Sequence, residues 1–204
     1  FLVSEYLDNI GETNIIRLSN DISLIGKPMN QPLSPHRQQK RTAMVARILK
    51  TARTIMRSDG VAALSMQELA RRLELRAPSL YNYFNGKMDL YDALFRQGYE
   101  LYARQMADTL KNAGSWQDEL HWIIEGYMKF ALENPELYQL CFECPVPGFV
   151  PSAESLQISM DLLHQSYQRA AKILPLHHTG LNEQQATDLI IAIMHGLTAL
   201  HIAN

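Results

Sequence analysis

With 204 residues, 47% of them apolar, the chain can bury one or two hydrophobic cores and is too apolar for wholesale disorder. No apolar run approaches the roughly eighteen residues of a membrane span, and the start Phe1–Val3 breaks at Ser4-Glu5 without the basic flank of a secretory leader, so a soluble, cytoplasmic protein is expected. The formal net charge of -2 hides a division: residues 36–96 hold twelve Lys+Arg against five Asp+Glu, residues 97–204 five against twelve, as if one half met a polyanion.

Residues 1–35 show no period and no basic stripe. Met29 is the first methionine and stands in the Pro-rich stretch PMNQPLSP, so residues 1–28 read as upstream translated sequence or as a poorly ordered segment, and 1–35 as an extension outside the fold. A short strand or helix within Asn14–Ile25 stays open. From Gln38 a helix is legible, with Met44, Val45, Ile48, Leu49, Ala52, Ile55 and Met56 at three- and four-residue spacing. Asp59-Gly60 ends it. Ser65 and Glu68 have capping-box spacing for a short helix that turns Met66, Leu69, Ala70 and Leu73 inward. Glu74–Ala77 is a turn, and Pro78 suits the first turn of a helix to Phe84. After Asn85-Gly86 a longer helix runs from Lys87 to about Lys111.

Ser115 caps the next helix, to about Glu133, and Asn134-Pro135 restarts a short one ending near Cys144. The two cysteines, Cys141 and Cys144, have no second ligand pair nearby for zinc and no preceding strand for a redox site, and they read as small residues at a helix end. Three prolines and a glycine make 145–152 a loop. Ser152 caps a helix to about Leu174, and Asn182 with Gln185 opens the last. No alternating strand pattern follows residue 36, so the fold class is all-α, with domains at 36–96 and 97–204.

The run LSMQELARRL, then ELRAPSLYNYF, then Asn85-Gly86-Lys87 resembles the helix-turn-helix DNA-binding domain of the TetR family over about residues 38–95. The resemblance implies a homodimeric transcription regulator, usually a repressor, that binds a palindromic operator in double-stranded DNA and answers to a small-molecule effector. Position by position it places Arg76, Ala77, Pro78 and Ser79 in the major groove and Tyr81 and Tyr83 against phosphate or base methyls, with Ser65 and Lys87 holding the backbone. Lys40 and Arg41 join them on charge alone. Lys87 opposes the helix dipole at its own N-terminus, which favours an anionic partner there. Plainer readings stand beside these: Tyr81 and Tyr83 as packing, Arg71 and Arg72 as a solvated face as readily as phosphate contacts, and Leu80 and Phe84 as core.

The second half, through WIIEGYMKFALENPELYQLCF and Met194-His195-Gly196, is similar to a TetR subgroup whose C-terminal motif is written W-H-G, with methionine in place of tryptophan. Two apolar stripes imply a four-helix dimer interface: Leu156, Leu163 and Tyr167 on one helix, Leu189, Ile193, Gly196, Leu197 and Leu200 on the other. Either stripe could instead serve the subunit's own core. An effector pocket is expected between helices from 99 to 174, with Tyr102, Met106, Trp122, Tyr127, Phe130, Tyr138, Phe142 and His164 as candidates, each also readable as core. His195 reads as a packed, hydrogen-bonded histidine. No catalytic or nucleotide-binding motif is present, and neither a cofactor nor a metal is expected. The alternative is a small-molecule-binding protein that keeps the fold without specific DNA binding, against which the basic surplus at 36–96 argues.

Overall fold

The structure is a computed structural model that describes residues 34–110, 114–143, 145–174, 176 and 179–203. The expectations for Asn14–Ile25, Met29, Lys111 and Cys144 lie outside them. Among the described residues there are eight α-helices and no strand. These are α1 (Pro35–Asp59), α2 (Met66–Arg72), α3 (Ala77–Leu80), α4 (Lys87–Thr109), α5 (Trp116–Glu133), α6 (Pro135–Tyr138), α7 (Ala153–Ile173) and α8 (Glu183–Ala203).

α1 begins at Pro35, three residues before the expected Gln38, because proline's fixed φ and missing N–H suit a first turn. It buries Ile48, Ala52, Ile55 and Met56, one stripe at helical spacing. Gly60 stops it at φ 94, in the left-handed region, with its N–H on the Met56 carbonyl at 3.0 Å. The Ser65–Glu68 capping box does not form. Ser65 stands at the N-cap without a side-chain bond, while Glu68 is taken at 2.7 Å by both Arg71 and Arg72. Charge-assisted bonds outcompete a backbone N–H, and the two guanidiniums hold the Glu68 carboxyl down at about 2.

Glu74, at φ 57, is the one non-glycine residue in the left-handed region among the described residues, a strain of about 1–2 kcal/mol. The turn closes by Leu75 N–H to the Ala70 carbonyl at 2.9 Å. α3 is shorter than the expected Pro78–Phe84 and continues as turns, with Leu80 and Phe84 buried in the hydrophobic core.

α4 links the two halves. Its first turns bury Leu90, Tyr91, Leu94 and Phe95, and the Tyr91 hydroxyl donates to the Val61 carbonyl at 2.6 Å. Further along, a side chain on Gly98 would meet the Cys141 sulfur at 2.5 Å, so the close approach there requires glycine. Cys141 is buried, and its thiol donates to the Phe95 carbonyl at 3.6 Å. α6 runs on into a π turn over Gln139–Glu143. The expected caps form: the Asp118 N–H on Ser115 Oγ and the Ser155 N–H on Ser152 Oγ, each at 3.2 Å, and the reciprocal Asn182–Gln185 pair. Asp92 of α4 accepts from the Ser152 N–H at 2.7 Å, which ties the start of α7 to α4. α1 is also tied to α6, through Arg53 and Arg57 on Glu136. No helix among the described residues is long and apolar enough to cross a membrane.

Candidate nucleic-acid interface and ligand cavity

Leu80 and Phe84 fix α3 to the core, and that decides what the helix presents outward. Arg76, Pro78 and Tyr81 are exposed, Tyr81 by 54%, while Ala77 and Ser79 are half-buried. Exposed Lys40 stands at the start of α1 beside this edge. Arg41 donates from Nη1 to the Asn82 carbonyl at 2.8 Å and lies 5.3 Å from the Tyr83 ring centroid. Arg41 and Tyr83 therefore engage one another, and Tyr83 also packs on the core. Ser65 is half-buried at the start of α2. Arg71 and Arg72 are held by Glu68, and Arg72 also by Asp59 at 3.1 Å.

Lys87 departs from expectation. Its ammonium donates to the Ala62 carbonyl at 3.0 Å and sits 5.4 Å from the Tyr91 ring centroid. A carbonyl and a ring face offset the dipole's repulsion from within the chain, so the helix start does not by itself require an anionic partner. The signal was present in sequence: Tyr91 lies four residues on, one turn along the same face.

A cavity of about 530 Å³ lies between α4, α5, the π turn, α7 and α8. Of the eight sequence candidates, Tyr102, Met106, Tyr127 and Phe142 line it. Trp122, Phe130, Tyr138 and His164 do not. Phe130 and Tyr138 are wholly buried behind the wall, while Trp122 and His164 face outward. One residue is about a hundred degrees of helix, so Ile123 and Leu163 line the cavity where their neighbours Trp122 and His164 turn away. Tyr99 was not among the sequence candidates, and a pocket expected between helices from 99 to 174 left out the α8 contribution of Met194 and His195.

His195 is both packed and part of the wall. Its Nδ1 lies 2.7 Å from the Tyr127 hydroxyl and 3.2 Å from that of Tyr138. Burial lowers the His195 pKa and favours the neutral ring. Burial likewise raises Tyr102 and Tyr127 well above the usual phenol range, so both remain neutral hydroxyls. The Tyr102 hydroxyl has no hydrogen-bond partner among the described residues. Among the lining residues, the partly exposed Arg169 donates from Nη1 to Glu119 at 2.8 Å.

On α8, Leu189, Ile193, Leu197 and Leu200 are 52%, 48%, 44% and 64% exposed, and the space around exposed Gly196 is open. The α7 stripe differs from expectation. Leu156 and Leu163 are buried within the chain itself, and the half-buried Tyr167 reaches Asp188 of α8 at 3.4 Å. α7 spends its apolar face on α4 and α8 of its own subunit.

A short outward helix braced by two others, joined to a helical body with an internal cavity, is the architecture of a helix-turn-helix transcription regulator. Residues 48–94 match the family model described as bacterial regulatory proteins, tetR family. The chain is similar to the HTH-type transcriptional regulator Rv1816 of Mycobacterium tuberculosis, 28% identical over 119 residues, or 55% of this chain and 49% of that protein. It is also 32% identical over 92 residues to the HTH-type transcriptional regulator YobS of Bacillus subtilis, covering 45% of this chain and 48% of that one. The chain thus spans about half the length of the curated relatives it matches. In fold it resembles the protein SCO4313, with a TM-score of 0.66 and 23% identity over 83% of this chain and 88% of that one. A tetR family regulatory protein from Rhodococcus RHA1 gives 0.60 and 16%, over 76% and 83%. Residues 48–94 thus match the tetR family of bacterial regulatory proteins, and over about half its length the chain is similar to curated transcriptional regulators.

Proposed function

We propose that this regulator is a ligand-responsive repressor that binds a palindromic operator as a homodimer and leaves it when a small apolar or aromatic effector enters the cavity. Residues 36–96 form the DNA-binding unit in this reading and residues 97–204 the sensing and dimerisation unit. The observation that carries it is the outward face of α3. Arg76, Pro78 and Tyr81 are exposed on and at the ends of a short helix that Leu80 anchors in the core, with Phe84 buried just beyond it, and such a face suits a major groove. Lys40 and the surplus of basic residues in 36–96 supply phosphate attraction. The apolar α8 face supports a two-fold partner, because four large side chains there are about half exposed. His195, within the Met194-His195-Gly196 stretch that resembles the subgroup's motif, lines the cavity, which supports the sensor reading.

The test is selection of bound duplexes from a random pool. A palindrome with half-sites roughly one helical turn apart is expected, with affinity falling steeply as salt rises. A protein that enriches no sequence would be a binder of small molecules on this fold and not a repressor.

A further inference from the structure

We propose that the effector is an amphiphile with one anionic head, its apolar body among Tyr102, Tyr127 and Phe142 and its head at Arg169 and Lys172. This rests on the cavity being the effector site. The charge along the wall is one-sided: Arg169 and Lys172 are its cations and Glu119 its one carboxylate, with Lys172 exposed and the other two partly exposed. Glu119 engages Nη1 of Arg169, which leaves other N–H donors of the guanidinium for a second acceptor. Lys172, three residues on along α7, is exposed and has no ion-pair partner among the described residues. The rest of the wall carries no ionic side chain, because His195 is kept neutral by burial between two tyrosine hydroxyls.

A tail is therefore desolvated against rings while a carboxylate or comparable anion gains charge-assisted bonds at Arg169 and Lys172. A neutral head forgoes those bonds. A cationic head meets two like charges and one carboxylate already engaged. The unpartnered Tyr102 hydroxyl adds one polar handle within the apolar zone, for a substituent on the body.

Calorimetry on the full chain with decanoate, decanol and decylamine, which share one tail, reads the head alone. Decanoate is expected to bind roughly tenfold more tightly than decanol, and decylamine most weakly. Arg169→Gln should bring decanoate down to the decanol level and leave decanol unchanged, and Lys172→Gln at an exposed position should act in the same direction should Arg169→Gln fold poorly. Leu163→Trp, which fills the cavity, should weaken all three. Equal binding of decanoate and decanol, a preference for decylamine, or decanoate binding indifferent to both charge removals overturns the head assignment while the sensor reading stands. Binding that survives Leu163→Trp, or no binding of any tail, overturns the cavity reading and the head assignment with it.

Discussion

Arg53 of α1 and Glu136 of α6, 83 residues apart, meet at 2.8 Å with the carboxylate side chain only 1% exposed. Arg57 takes the other oxygen of the same carboxylate, and Arg53 Nη2 also reaches Asn134 Oδ1 at 2.7 Å. The helix that braces the recognition end is thereby fastened to the segment that leads into the cavity wall at Phe142. Removing one partner of such a buried group leaves charges without compensation.

Glu136→Gln keeps the shape and removes the charge. We expect a loss of about 3 kcal/mol, at the low end for a buried pair because Arg57 is half exposed. Urea denaturation measures it. A loss under about 0.5 kcal/mol would rank the cluster with ordinary surface ion pairs.

Lys87 and Arg76 should separate holding from reading. Lys87→Ala loses its bond to Ala62 as well as a positive charge, so stability should fall by about 1 kcal/mol. It should weaken binding to all duplexes alike and flatten the salt slope by roughly one unit per half-site. Arg76→Ala and Ser79→Ala should instead relax preference at particular base pairs, by about 1–3 kcal/mol. Salt titrations on operator and scrambled DNA decide it. Changed sequence preference in Lys87→Ala, with none in the other two, would reverse the assignment.

Helix periodicity made the elements legible, since α1, α4, α5, α7 and α8 each carry a stripe long enough to read. Caps were legible where the two partners had no rivals, as at Asn182 and Gln185. The Ser65–Glu68 box failed because Arg71 and Arg72 competed for the same carboxylate, and spacing alone does not rank competitors. The cavity was half legible. Aromatic residues could be found, but Phe130 and Phe142 look alike in sequence, and only packing sends one into the core and the other to the wall. Leu156 and Leu189 posed the same difficulty, being stripe residues of equal appearance, one facing inward and one facing out.

The α8 face offers a direct test of association. Ile193→Asp should be harmless to a monomer, because the site is 48% exposed there, yet it places a charge inside a dimer seam. Sedimentation should show monomer with retained helix content and weakened operator binding. A variant that stays a tight dimer would move the interface elsewhere.

His195 predicts a pH effect of definite sign. Burial holds its folded pKa below the ordinary 6.5. Above 6.5 both states are neutral and stability is full; as pH falls through 6.5 the unfolded chain takes the proton first, and stability declines until the lowered folded value is reached. His195→Gln should remove this part of the slope. Thermal unfolding of both proteins between pH 7.5 and 5.5 (roughly the interval in which an imidazole titrates) reads the difference. Identical slopes would mean that His195 is protonated equally in both states.

Gly98 and Cys141 share a space that only one of them can fill. A methyl group at 98 would have to displace a sulfur already bonded to the Phe95 carbonyl, and the sulfur belongs to the turn that carries Phe142. The two positions should therefore drift together over evolutionary time. A lineage that gains a side chain at 98 should first have lost bulk at 141, and the order of those steps should be irreversible while the sulfur is in place. The same crowding makes the double substitution Gly98→Ala with Cys141→Gly far milder than Gly98→Ala alone.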